Sequence, residues 1–475
     1  MTDRDSLTRP NLLFIMSDDH AAHAISAYGS RINETPNIDR LADEGMRFDA
    51  AFCTNSICTP SRASILTGTY PHVSGVTTLD TLLDNSLWTF PQSLQESGYT
   101  TGLIGKWHLG HGPEHDPVGF DEWRVLPGQG HYDNPVMLEA GGRVIERGGY
   151  VTDLITDDSI DFIKRHKDEP FALFCHHKAA HRTWVPAPRH FSDFEEDRIE
   201  PETFWDDLEG RADVIKKVRM SMMDLDPIVD LKAAVPDGLS HDEEVVWRYQ
   251  RYIKDYLRVV AALDEGIGRM LDALETEGLL DNTIVVYTSD QGFFLGDHGW
   301  FDKRLMYEES LVMPLLMRYP PAVQVGSTCD EIVTNVDFAP TLLELMGAET
   351  PTSVQGRSFA PLLTGETPHD WPDSIYYRYW MHRDSAHNTP AHYGIRTKTH
   401  KLICYYNDPL DQPGAHGPTD PIEWELFDLV RDPLELSNVI NDPDYADVRT
   451  DLGAALKEAQ EDVGDTPYPG AGLSP

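Results

Sequence analysis

Residues 11–20 read NLLFIMSDDH: an apolar run, Leu12–Met16, that breaks into Asp18-Asp19-His20. So short a run, without polar alternation, has the pattern of a strand buried on both faces. Thr101–Ile104, Phe171–Cys175, Ile284–Thr288 and Pro314–Arg318 repeat it. Between them lie helical periodicities. The clearest spans Asp242 to Leu274, where Val245, Tyr249, Tyr252, Tyr256, Val259, Val260, Leu263, Ile267 and Leu271 recur at three- and four-residue steps. It ends at Glu277-Gly278, a C-cap pattern. Strands alternating with helices predict an α/β fold: a mostly parallel sheet covered by helices on both faces.

Composition shifts at Thr364–Pro372 (TGETPHDWP), and shorter strand-like pieces follow at Ile375–Trp380, Tyr393–Thr397, Lys401–Tyr405 and Trp424–Asp428, then a helix near Asp444–Ala459. The pattern predicts a large α/β domain over residues 1–370 and a smaller C-terminal α+β domain over 371–475, with a short antiparallel sheet. Two domains also suit a chain of 475 residues.

The chemically capable side chains fall just after the predicted strands. Asp18-Asp19-His20 follows the first and Lys106-Trp107-His108 the second. His176, His177, Lys178 and His181 follow Phe171–Cys175, and Asp290-Gln291-Gly292 follows Ile284–Thr288. Ligands of open α/β sheets bind beyond the carboxyl ends of the strands, so four distant stretches are expected to meet at one edge. Asp18, Asp19, Asp290 and the Gln291 carbonyl offer only oxygen, a set suited to Ca²⁺ or Mg²⁺. For Asp18-Asp19 alone, solvated or helix-capping acids are an equal reading.

Acidic residues number 79 against 39 basic ones, giving a net charge of −40. The excess is scattered, which argues against nucleic acid or an anionic membrane as partner. An anionic substrate would need a local positive field at its site. Five cysteines without a CxxC pair argue against a disulfide framework. The Asn11–Ser17 run is too short to span a membrane and has no cleavable-signal layout, so a cytoplasmic protein is expected.

Residues 58–68 read CTPSRASILTG. Pro60 suits the first turn of a helix, which puts Cys58 just outside the N-terminus in a field that favours anions. Cys175, Cys329 and Cys404 read as inert core thiols. The stretch CTPSR followed by LTG resembles the signature of type I sulfatases, in which the cysteine is oxidised enzymatically to formylglycine. Residues 98–108, GYTTGLIGKWH, resemble that family's second signature. Similarity continues through Ser289–Gly292, Gly296–Glu309, His392–Leu402 and Trp424–Asn438, so it covers nearly the whole chain.

The resemblance implies an alkaline-phosphatase-like fold and one Ca²⁺ per chain, held by Asp18, Asp19, Asp290, Gln291 and modified Cys58. Relatives often carry Asn or His at the position of Gln291, which keeps a carbonyl on a longer arm. Arg62 would hold formylglycine, Lys106 and Lys303 would grip sulfate, and His108 would stand beside the formylglycine hydroxyls. His181 is the expected neighbour of the leaving-group oxygen, with His176 and His177 open as alternatives or packing partners. A formylglycine-generating enzyme is implied as maturation partner.

The later segments resemble carbohydrate sulfatases, including those acting on 6-sulfated N-acetylglucosamine. Candidates to line a sugar pocket are Trp123, Gln129, His131, Tyr132, Asn134, Tyr379, His382, Arg383, His392 and Arg396. The expected substrate is a small sulfated saccharide, and homo-oligomers stay open. Competing expectations are an aryl- or choline-sulfatase, a phosphonate or phosphate ester hydrolase, and an unmodified anion-binding protein.

Overall fold

The computed structural model describes residues 9–472. Its main sheet has ten strands: β1 (Asn11–Ser17), β2 (Met46–Phe48), β3 (Thr100–Lys106), β4 (Glu122–Leu126), β5 (Val136–Glu139), β6 (Arg143–Glu146), β7 (Phe171–His176), β8 (Thr283–Ser289), β9 (Leu315–Arg318) and β10 (Ser327–Cys329). Their order is β10-β2-β9-β8-β1-β7-β3-β4-β5-β6. The central five, β8-β1-β7-β3-β4, run parallel. The Pro314–Arg318 run is indeed a strand, but it pairs antiparallel with β8. An apolar run carries no direction; the connection over residues 290–314 returns the chain the opposite way.

β1 is buried along its whole length. Leu12, Phe14 and Met16 join the core under α2 (Cys58–Thr67), α3 (Phe90–Glu96) and α6 (Phe338–Met346), after α1 (Pro36–Asp43) has packed on the other face. Leu13 and Ile15 face that second core, shared with α4 (Val151–Arg165) and the long α5 (His241–Thr276). Alternate side chains of one strand therefore feed two helical layers. Ser240 and Glu243 close a capping box at the start of α5, and Gly278, in the left-handed region at φ 71°, follows its end.

The C-terminal sheet is an antiparallel meander of β11 (Ser374–Tyr379), β12 (His392–Thr397), β13 (His400–Tyr405) and β14 (Glu423–Asp428). One face packs on α7 (Ala446–Asp462). The other, with Ile375, Tyr377, Ile403 and Phe427, shares the core beneath α2. At this seam Glu308 pairs with Arg396 at 2.9 Å and with Lys401 at 2.8 Å. Among the described residues no helix is long and apolar enough to cross a membrane.

Candidate active site

The parallel strands deliver their carboxyl ends to one place. Asp18 and Asp19 follow β1, Lys106 ends β3, and Asp290 and Gln291 follow β8. All five are fully buried. Asp19 N donates to Asp290 Oδ1 at 3.2 Å, closing the gap between two neighbouring strand ends. Asp19 and His108 hold φ of 62° and 59°, in the left-handed region that non-glycine residues seldom adopt, so local backbone strain accompanies this edge.

Cys58 is the first residue of α2, not a residue before it, and Pro60 is the third. The first helical bond runs from Ser61 N to Ile57 O. None of the first N–H groups of a helix has an internal partner, so proline is tolerated one turn deep and cannot fix the boundary to a residue. The Ser61 hydroxyl donates to the Asp290 carbonyl. Arg62, 1% exposed, donates from Nε to Asp290 Oδ2 at 2.9 Å and from Nη1 to the Lys106 carbonyl at 3.0 Å. These bonds bring the start of α2 to the acidic strand ends.

Opposite charges alternate across the cluster. Lys106 Nζ contacts the Asp18 carboxylate and lies 2.5 Å from Gln129 Oε1. Lys303 Nζ donates to Asp19 Oδ2 at 2.7 Å. Burial opposes ionisation of Asp18, but Lys106, with Arg62 and Lys303 behind it, pulls it well below the ordinary carboxylate range. Burial raises Asp19 to about 6 against the pull of Lys303. Burial, then the Asp18 charge, raises Asp290 to about 7. Arg62, Lys106 and Lys303 match the three carboxylates in number, yet burial still holds Asp19 and Asp290 above the ordinary carboxylate range.

The donor set suits a hard cation. Asp18 Oδ1 and Gln291 Oε1 are buried acceptors without a hydrogen-bond partner among the described residues. Ligand atoms of Asp18, Asp19 and His181 lie within 4.8 Å of one another. Carboxylate and amide oxygens favour Ca²⁺ or Mg²⁺ over zinc or copper.

Of the three candidate histidines, His181 is the one whose ring stands by the carboxylates. Its Nε2 is 3.7 Å from Asp19 Oδ2, and its Nδ1 is 2.7 Å from the Arg182 carbonyl. That carbonyl can only accept, so Nδ1 carries the proton and neutral Nε2 is bare. Burial lowers the proton affinity of His181, and of His108 as well. His108 Nδ1 lies 3.4 Å from Thr59 Oγ1, one residue from Cys58. His176 packs on Phe14 and Phe174, and His177 Nε2 contacts Cys175 Sγ at 3.4 Å.

The sulfatase profile matches residues 10–348, and a profile described as N-sulphoglucosamine sulphohydrolase, C-terminal, matches residues 296–462. The chain belongs to the sulfatase family. This sulfatase, a sulfuric ester hydrolase by family, is 42% identical to an N-acetylglucosamine-6-O-sulfatase of Bacteroides thetaiotaomicron, over 97% of its own length and 88% of the relative's. An ulvan-active sulfatase of Formosa agariphila is 27% identical over 97% and 83%. The solved structure of BT4656 in complex with its substrate D-glucosamine-2-N,6-O-disulfate superposes with a TM-score of 0.90 at 42% identity, covering 96% of this chain and 98% of that one.

The expected sugar contacts divide. Gln129 touches Lys106, and with His131 and Tyr132 it lines a cleft that also holds His181. Tyr132 is buried and donates to the His181 carbonyl at 2.6 Å, a supporting position. Asn134 closes a turn by accepting from Gly149 N, and Trp123 packs on the core from within β4. The sulfatase structure corrects the small-domain candidates. His392 is fully buried, its ring stacked on Tyr377 and Tyr379. Arg396 spends its charge on Glu308 and covers the Phe52 ring. His382 is buried with Nδ1 accepting from Ala391 N, and Arg383 is paired with Asp420. Basic and aromatic residues in strand-like segments pack as readily as they bind.

A second charged set escaped the sequence reading. Asp302 and Arg304 flank Lys303 with φ of 77° and 94°. Asp302 Oδ2 lies 3.3 Å from His387 Nε2, and Arg304 Nη1 lies 3.1 Å from the Tyr379 hydroxyl and 3.7 Å from Asp384 Oδ2. The charged triplet Asp302-Lys303-Arg304 inside an apolar stretch was an available signal. Nothing around His387 marks it in one dimension.

Proposed function

We propose that this sulfatase hydrolyses an O-sulfate ester on a small saccharide, with 6-O-sulfated N-acetylglucosamine as reference substrate, through formylglycine at position 58 and one Ca²⁺. The observation that carries the reading is the buried meeting of Cys58, Arg62, Lys106 and Lys303 with the four oxygen donors Asp18, Asp19, Asp290 and Gln291. The saccharide part leans on the named activity of the 42% relative and the substrate of the superposed structure.

Hydrated formylglycine supplies two hydroxyls on one carbon, and Ca²⁺ supplies positive charge beside it. The chain's own residues do the rest. A sulfate ester brings negative charge into a protein of net −40, and Lys106 and Lys303 offset it where it matters. Each is held by an aspartate, so its ammonium is positioned before substrate arrives. Arg62 fixes the start of α2, and with it residue 58. His108, kept neutral by burial, is available to accept a proton beside residue 58. His181, its Nδ1–H held by the Arg182 carbonyl, takes a proton from solvent at Nε2 and passes it to the departing alcohol oxygen, while the proton lost by the residue-58 hydroxyl goes to His108, so one is taken up for each one given.

The test is turnover by matured enzyme on monosaccharides sulfated at single positions, beside an aryl sulfate and an aryl phosphate. The highest kcat/KM is expected for 6-O-sulfated N-acetylglucosamine. Faster hydrolysis of the aryl phosphate than of every sulfate would sink the proposal. An aldehyde at residue 58, sought by peptide mass spectrometry, checks the nucleophile separately.

A further inference from the structure

Four lysines are buried among the described residues: Lys106, Lys178, Lys303 and Lys401. Three have carboxylate partners. Lys106 meets Asp18, Lys303 meets Asp19, and Lys401 meets both Glu308 and Glu435. Lys178 is different. Its Nζ donates to the Arg182 carbonyl at 3.2 Å and stands 4.8 Å from the centre of the Tyr132 ring; among the described residues no carboxylate is within ion-pair distance, although the charges of Asp18 and Asp19 reach it from farther off. An ammonium has three donors, and one is used. At 3% exposure such a cation is costly to keep without an anion.

Lys178 lines a cleft of about 520 Å³ together with Gln129, His131, His181 and Arg182. That volume suits a small sugar. Arg182 cannot serve an incoming anion freely, because Nε and Nη2 each lie 2.5 Å from the Asp230 carboxylate. The reacting sulfate already has Lys106 and Lys303. With His181 as the proposed donor to the leaving-group oxygen, whatever reaches the Lys178 cleft beside it belongs to the alcohol portion of the substrate.

We infer that Lys178 anchors a second anionic group, carried by the sugar portion of the substrate and separate from the sulfate that is cleaved. The inference rests on the saccharide reading above and adds a charge requirement to it. Two sources share the chemistry: an N-sulfate on the same ring and a carboxylate on a neighbouring uronic acid. The anchor is a binding residue, and its effect falls mainly on KM.

The experiment compares matured wild type with Lys178→Met, which keeps length and loses charge. Three substrates are used: 6-O-sulfated N-acetylglucosamine, D-glucosamine-2-N,6-O-disulfate, and a uronic-acid-containing disaccharide of the 6-O-sulfated sugar. Wild type should prefer at least one doubly anionic substrate over the singly charged one by kcat/KM. In K178M that preference ratio should fall about tenfold or more, the size expected for losing a charge-assisted hydrogen bond. The arm that falls identifies the source. Because each ratio compares substrates on one preparation, an unfolded fraction cancels. A wild-type ratio near one, or a ratio K178M leaves unchanged, overturns the anchor while the saccharide reading stands. Hydrolysis of an aryl sulfate with no turnover of any saccharide removes that reading, and the anchor with it.

Discussion

Arg62 Nε lies 2.9 Å from Asp290 Oδ2, so one guanidinium ties the helix that begins at Cys58 to the end of the central strand β8. Its Nη1 bond to the Lys106 carbonyl adds the end of β3. Arg62→Met leaves the Asp290 carboxylate buried without that partner. Loss of one member of a buried pair typically costs ~3–5 kcal/mol. Urea denaturation in chelator should show a drop of that order. An unchanged midpoint would mean that the tie does not hold α2 in place.

Chelation should lower the melting temperature and abolish turnover, with Ca²⁺ restoring both. Free ligand at a hundredfold excess over its Kd stabilises by ~2.7 kcal/mol. Gln291 Oε1 has no hydrogen-bond partner among the described residues, so Gln291→Leu should cost the metal-free fold little beyond its bond to Asp19. It should require at least about tenfold more Ca²⁺ for the same thermal shift if one ligand is worth a charge-assisted contact. Identical titration curves for variant and wild type would remove Gln291 from the ligand set.

His181→Ala should depend on the leaving group. A positioned acid contributes ~10²–10⁴-fold, and a sugar alkoxide needs that proton while a nitrophenolate does not. The loss in kcat should therefore be large on the sugar sulfate and small on nitrophenyl sulfate. Equal losses on both would rule out His181 as donor.

Acid should unfold the protein partly through histidines that burial keeps neutral. Burial lowers His177 to about 3 and His392 to about 4. Their unfolded value is 6.5, so below that pH the unfolded chain binds the extra protons. Stability is then lost as pH falls from about 6.5 toward the folded values, by ~1.4 kcal/mol per unit for each group. Together they account for ~4 kcal/mol by about pH 5. Denaturation midpoints measured across this range should show the slope, and His392→Gln should flatten it by about half the combined share. The raised Asp19 and Asp290 carboxyls act with the opposite sign over part of this range, so the deciding comparison is between variant and wild type: a slope that His392→Gln leaves unchanged would contradict the burial of that ring.

Most of the strand cores and the long helix were legible because burial on both faces, or on one stripe, writes its period directly into residue order. Strand ends were legible for the same reason: the apolar run stops where charged groups begin, as at Ser17-Asp18 and Ser289-Asp290. Direction was not, since Leu315–Arg318 would read the same in a parallel or an antiparallel strand. His392 and Arg396 looked like binding residues because their types are shared by pockets and cores. Only their neighbours, Tyr377 with Tyr379 and Glu308, assign them to packing.

By itself, the order of residues determined the two sheets, the separate stretches that carry the chemistry, and the cysteine on which the site centres. Tertiary structure decided which groups touch. Lys106 faces Asp18, Lys303 faces Asp19, and Lys178 forms no ion pair among the described residues, because pairing depends on where stretches separated by tens to hundreds of residues come to rest. Periodicity reports burial along the chain; charge compensation is a property of space.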